Sequence, residues 1–392
     1  MSKPSQAVGE HPGLLVFALV AAAFTNIYLT QPVLPVLARD LGTTAGAVSI
    51  TVSACIVGLA IANIPWGIWA DRHRIGGILV AGGVIVALAG VAGYFTESLA
   101  GLAVARFVQG LALPALLTCV AAYLGRILPP ERLNVVMGAY VSATVVGGLT
   151  SRLMGGWFFP EGAWREALLT AALLVLVVSL IAARLLPDAG HGEDHHQASV
   201  RFGTLLKRGD VWRILGVAFV SFFVFQSVFN YLPFRLAAAP LGLDTAEITA
   251  SYFAYAAGAV MAPLAGGISN RLGNGNTITL GALTLGLGIG CTLIDSVAAI
   301  IVGLFLLCVG FFSVHAAAVG GLNNRLAHGK GRANALYVMF YYVGGFVGIT
   351  VCGWVYEVAG WDGLIGGCLG LLVLPVVVGM LDQRGSSAQG RT

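Results

Sequence analysis

The chain has 392 residues, 58 % of them hydrophobic and only 10 % charged, with a formal net charge of +4. Soluble domains average roughly 25 % charged residues, so this composition excludes an ordinary water-soluble domain and predicts a membrane protein. So small a charge, with no basic stripe carrying interleaved aromatics, also excludes nucleic acid as a partner.

The first twelve residues hold one lysine and no small-residue cleavage site, so the first apolar run is expected to stay as an uncleaved span. A spanning helix needs about 20 apolar residues. The first half offers six such stretches, near 14–37, 47–70, 76–95, 99–124, 133–157 and 166–185. The second half offers six more, near 214–236, 248–270, 277–294, 297–320, 334–356 and 363–381. The expected domains are 1–187, a linker at 188–211, and 212–392. Within the linker, Phe202, Leu205 and Leu206 set against Arg201, Lys207 and Arg208 suit a short helix lying on the membrane surface. His191, Glu193, His195 and His196 are read as a solvated linker, not as a metal site. The six cysteines, Cys55, Cys119, Cys291, Cys308, Cys352 and Cys368, sit in apolar runs without a C-x-x-C pair and predict neither a disulfide framework nor a metal site.

Lysine and arginine set the orientation. With both termini cytoplasmic, sixteen of the 21 fall on inner loops and tails, and only Arg39, Arg165 and Arg235 fall outside. That predicts a multi-pass protein of the plasma (inner) membrane.

The two halves repeat. Gly67, Asp71 and Arg72, in a polar turn after the second span, recur as Gly266, Asn270 and Arg271, 199 positions on. Arg132 and Asn134 recur as Arg332 and Asn334, and Gly156-Trp157 as Gly353-Trp354. Six spans per copy is an even number, so the copies share one orientation, a parallel repeat about an axis along the membrane normal. The expected fold is all-α: twelve transmembrane helices in two pseudo-symmetric six-helix bundles.

These residues resemble the major facilitator superfamily over essentially the whole chain. Gly67, Asp71 and Arg72 are similar to the family's G-x-x-x-D-R-x-G-R-R signature, with Arg74 where its next glycine belongs. Leu102, Arg106, Gln109 and Gly110 are similar to its L-x-x-x-R-x-x-Q-G. Gly138, Gly147, Gly155 and Gly156 keep the spacing of the drug–proton antiporters' span-five motif, with Ser151-Arg152 in place of its Gly-Pro. The stretch Ile27–Leu37 and Arg152 look like a subgroup of sugar or drug efflux proteins. The resemblance implies a secondary transporter of a small organic solute (drug, sugar or metabolite), with export by alternating access and proton antiport.

Polar groups inside spans mark function. All 17 carboxylates can be assigned to loops, so the membrane-embedded carboxylate usual in proton-driven exporters is missing. Arg106 lies about 10 Å from the outer end of span four and Arg152 about 7 Å from that of span five, at 1.5 Å per residue. Arg106 is read either as a packing and gating residue or as a proton- or substrate-coupling one, and Arg152 as a cavity residue or one reaching the outer headgroups. His315, in span ten, is the intramembrane group that titrates near neutral pH, either a proton carrier or a neutral histidine bonded to the next helix. Tyr28, Gln31, Gln226, Asn230, Tyr231, Tyr341 and Tyr342 are the uncharged candidates for the cavity wall. Gly67, Asp71, Arg72, Asn270 and Arg271 are the candidate inner gates. An alternative function is an organic-anion transporter or exchanger using Arg106 and Arg152 without proton coupling. No cofactor or metal is expected, no enzymatic constellation occurs in the spans, and the partners expected are solute, protons and membrane lipid around a monomer.

Overall fold

The computed structural model describes residues 11–70, 72–159, 162–187, 202–326 and 328–389. Asp71, Arg201 and the histidines of the linker lie outside the described residues.

Apolar composition makes helices here because no water is available to the backbone, so every amide must be satisfied within its own segment. The first half comprises His11–Thr25 with Leu34–Asp40 (span one), Ala45–Ala70 (two), Ile75–Phe95 (three), Leu99–Leu116 with Thr118–Ile127 (four), Pro130–Gly156 (five) and Trp164–Leu185 (six). The second half comprises Gly209–Ala237 (seven), Thr245–Ser251 with Ala256–Leu272 (eight), Asn274–Cys291 (nine) and Val297–Asn324 (ten). Spans eleven and twelve are drawn from one helical stretch, Lys330–Leu371, which turns at Gly360 (φ +64°), and Val373–Gln389 completes span twelve. That positive φ is a conformation side chains rarely adopt, and it lets the chain reverse without a loop. Asp382 then pairs with Arg325, which precedes span eleven, so the chain has returned to the face it left. Among the described residues, seven helices are long and apolar enough to cross a membrane on their own. The sequence had span one continuous over 14–37; the structure breaks it at 26–33.

The repeat is visible in the packing. In the first half, a Cβ on Gly147 would lie 2.4 Å from the Ala21 carbonyl oxygen; in the second, one on Gly344 would lie 2.2 Å from that of Phe219. Span five therefore touches span one, and span eleven span seven, backbone to backbone, a contact only glycine permits. One apolar core runs through the first half (Leu19, Ile56, Leu113 and Trp164 among its members). Two serve the second half, one around Phe225 and Phe311 and one around Ile214 and Ala317.

Arg72, Arg74, Arg126 and Arg184 mark one end of the bundle, here the arginine-rich face; Arg39, Asp40 and Glu357 lie at the far face. The helix Phe202–Leu206 does not lie free on a surface. Leu205 is buried in the second half's core, and Arg332 stacks over Phe202 at 5.4 Å. At the far face the halves are joined: Glu357 of span eleven accepts from the Gly46 N–H (3.1 Å) and the Thr44 hydroxyl of span two. Trp157 Nε1 donates to the Ala246 carbonyl (2.8 Å), and Asn230 Nδ2 to Ser49 Oγ (2.7 Å).

Candidate functional site

Span one unwinds where its sequence turns polar. Thr25, Asn26, Thr30 and Gln31 precede Pro32, which has no amide to give a helix and disfavours helical geometry in the residue before it. The backbone groups freed there need partners inside the membrane. The Ile27 carbonyl accepts from Arg106 Nη2 (2.8 Å), and the Thr25 carbonyl from Ser151 Oγ (2.6 Å). The same Ser151 oxygen accepts the Tyr28 N–H (3.1 Å). Span eight tightens opposite, where Tyr252–Tyr255 form a 3-10 turn within a continuous helical run.

Arg152 sits between the break in span one and the 3-10 turn of span eight. Its guanidinium carbon lies 4.4 Å from the Tyr28 ring centre, 4.8 Å from Tyr255, 5.3 Å from Tyr252 and 5.4 Å from Phe229. Nε donates to Gln31 Oε1 (2.9 Å) and Nη1 to the Gly148 carbonyl (2.7 Å). The residue is fully buried, and among the described residues Nη2 has no hydrogen-bond partner and no ion pair forms. It therefore points between the halves, away from the headgroups. Tyr252 and Tyr255 escaped the sequence reading because an aromatic in an apolar span looks like core. The 3-10 turn that turns them to Arg152 leaves no compositional trace.

Arg106, equally buried, differs in kind. Nε donates to the Thr51 carbonyl (3.0 Å), Nη1 to Gln109 Oε1 (2.6 Å) and Nη2 to Ile27, so the side chain ties spans one, two and four of its own half. Asn230 and Tyr231 are also engaged: Asn230 with Ser49, and the Tyr231 hydroxyl with the Ile349 carbonyl (2.8 Å). Gln226 is buried beside Gly345 with both amide atoms unpartnered. Tyr341 and Tyr342 are half-buried; Tyr341 stacks on Phe222 at 3.6 Å, and Tyr342 meets it edge-on at 5.1 Å. His315 Nδ1 lies 3.0 Å from the Tyr337 hydroxyl, and its ring packs beside Phe311 and Tyr341. The central residues are thus closed over: Tyr28, Gln31, Arg152 and Gln226 are no more than 3 % exposed.

At the arginine-rich face, Gly67 lies in the last turn of span two beside Thr118, and Asp71 is outside the described residues. Arg72, Asn270 and Arg271 are exposed and make no side-chain hydrogen bond or ion pair among the described residues. A groove of about 750 Å³ opens there between spans three and six, lined by Arg74, Gly77, Val80 and Arg184 among others, away from Arg152. Among the described residues no three His, Cys, Asp or Glu side chains come together as metal ligands.

The Major Facilitator Superfamily profile matches residues 16–349. The chain is 28 % identical over 373 residues to the inner membrane transport protein YnfM of Escherichia coli, covering 93 % of this chain and 89 % of that one. It is 26 % identical over 363 residues to the uncharacterized MFS-type transporter YybF of Bacillus subtilis, covering 90 % and 89 %. Among solved structures it resembles a bacterial homolog of the human lysosomal transporter Spinster, inward-facing and unoccupied (TM-score 0.80, 14 % identity, 96 % of each chain). It also resembles the nucleoside transporter NupG (TM-score 0.80, 11 % identity, 95 % of this chain and 99 % of that one).

Proposed function

The chain belongs to the major facilitator superfamily, and on that premise we propose that it exports a small organic solute across the inner membrane by alternating access, in exchange for protons. It is a multi-pass membrane transporter and not an enzyme. The observation that carries the alternating-access reading is the one-sided closure: the cross-half hydrogen bonds described above gather at the far face, while at the other Arg72, Asn270 and Arg271 make no side-chain bond among the described residues. A carrier caught with one gate shut has this form.

In this reading the rigid halves are 1–187 and 212–392, joined by 188–211, and the protein works as a monomer of the twelve-span drug or sugar efflux branch. The arginine-rich face is cytoplasmic, as the distribution of positive charge favours, so the closed gate is the outer one. The solute binds where the break in span one meets span eight, on Tyr28, Gln31, Arg152 and Gln226, with Tyr341 and Tyr342 toward the inner side. Arg106 is a positioning residue that braces the break in span one. Asn230 and Tyr231 belong to the outer closure, and Gly67, Asp71, Arg72, Asn270 and Arg271 to the inner one. His315, with Tyr337 as its hydrogen-bond partner, carries the proton.

A second reading, exchange or facilitated transport of an organic anion without protons, is favoured by one observation: Arg152 has no carboxylate partner among the described residues. An imposed pH gradient across everted vesicles separates the two. Solute uptake that follows the gradient and disappears in His315→Ala supports the antiporter; uptake indifferent to both refutes proton coupling.

A further inference from the structure

The chemistry of the solute can be read from what Arg152 lacks. A guanidinium stays charged at any accessible pH, and a charge held in the membrane interior is retained only where something answers it. Three responses are in place: Gln31, the Gly148 carbonyl and four aromatic rings. None is an anion. The ring faces attract the cation but leave the Nη2 N–H groups idle.

Gln31 shares the deficit. Arg152 only donates, so the amide oxygen of Gln31 must face it, which turns Gln31 Nε2 elsewhere. That nitrogen is buried and also unpartnered. Two idle donors on one hydrogen-bonded pair, together with one unanswered positive charge, call for a single kind of group: an anion with two acceptor oxygens. A sugar hydroxyl would take the hydrogen bonds and leave the charge.

We infer that the solute is a flat organic acid whose carboxylate, or equivalent acid group, docks on Arg152 Nη2 and Gln31 Nε2. When the halves part and draw the rings off the guanidinium, the acid's ring takes the place of Arg152 against Tyr28, Tyr252, Tyr255 and Phe229. Gln226, with a free donor and a free acceptor, meets a polar substituent on the other half. One wall of the site, Tyr28, comes from the break in span one, and the other, Tyr252 and Tyr255, from the 3-10 turn of span eight. Interrupted helices at the interface of two repeats are where carriers bind their solutes. A cationic solute is repelled by the same charge. The inference rests on the central site proposed above, and the test is chosen so that the two can fail separately.

Benzoate, 2-naphthoate and indole-3-acetate, each against its own neutral amide, are titrated into the purified protein in detergent, with thermal unfolding as the readout. The expected result is that at least one acid binds ten times or more tighter than its amide, about 1.4 kcal/mol. That preference is expected to be lost in Arg152→Gln and reduced in Gln31→Leu. Should Arg152→Gln not fold, the acid–amide comparison in the unmodified protein decides alone. If no acid outbinds its amide, or the preference survives in a folded Arg152→Gln, the inference is overturned. Counterflow of the preferred acid in proteoliposomes then tests the rest. An acid that binds through Arg152 but shows no counterflow refutes the central site as the transport site and leaves the anion site standing. Counterflow of the amide alone refutes the anion.

Discussion

Glu357→Ala should open the far face. Glu357 Oε1 accepts two hydrogen bonds from the start of span two, from the Thr44 hydroxyl and the Gly46 N–H, and its charge faces a helix N-terminus. Bonds to a charged acceptor contribute about 1.5–3 kcal/mol each. Glu357 is exposed, so screening halves this at least, leaving ~1.4 kcal/mol for the pair, or tenfold in population. A gate that is open about 1 % of the time becomes open about 9 % of the time. Spin labels at Ala47→Cys and Val358→Cys, both exposed and on either side of the seam, report this as a longer-distance fraction growing in double electron–electron resonance. Glu357→Gln keeps an acceptor oxygen without the charge and should fall between. An unchanged distance distribution in Glu357→Ala would show that apolar packing alone shuts the gate, and the reasoning would fail.

Arg106→Met removes three donors from buried acceptors and should destabilise the first half by about 1–3 kcal/mol for each acceptor left unpaired, read as a fall in unfolding temperature of the purified protein. Ser151→Ala leaves the Thr25 carbonyl and the Tyr28 N–H without their shared partner and should cost about 1–3 kcal/mol in the same measurement. Gly344→Ala would set a Cβ 2.2 Å from the Phe219 carbonyl and force spans seven and eleven apart, at about 1–3 kcal/mol. Gly216→Ala, with its nearest atom at 3.7 Å, is the control and should be neutral or stabilising.

The spans and their pairing were legible in the sequence, because hydropathy over about 20 residues and a repeat at 199 positions are coarse, long-range signals. Arg152 was legible as well: a charge in an apolar run cannot be hidden. Its surroundings were not. The 26–33 break lies in a stretch hydrophobic enough to pass as continuous helix, and what holds it open, Ser151 and Arg106, comes from 79 to 126 positions away. Tyr252 and Tyr255 are ordinary span aromatics until a 3-10 turn changes their register. Glu357 read as a loop carboxylate, because nothing local reveals that span two begins beside it. Arg106 and Arg152 looked alike in sequence. What separates them is where each side chain's donors find acceptors, which only the packed chain determines.

An unneutralised cation inside a bilayer also has an electrical consequence. A full elementary charge feels about 2.3 kcal/mol per 100 mV, so a site whose water access switches sides around Arg152 experiences a fraction of that voltage. Loading it with a monoanion cancels the sensitivity. Forms with and without the anion would then respond differently to the resting potential, and the return step, which carries the proton without the anion, would generate the current instead of the outward trip.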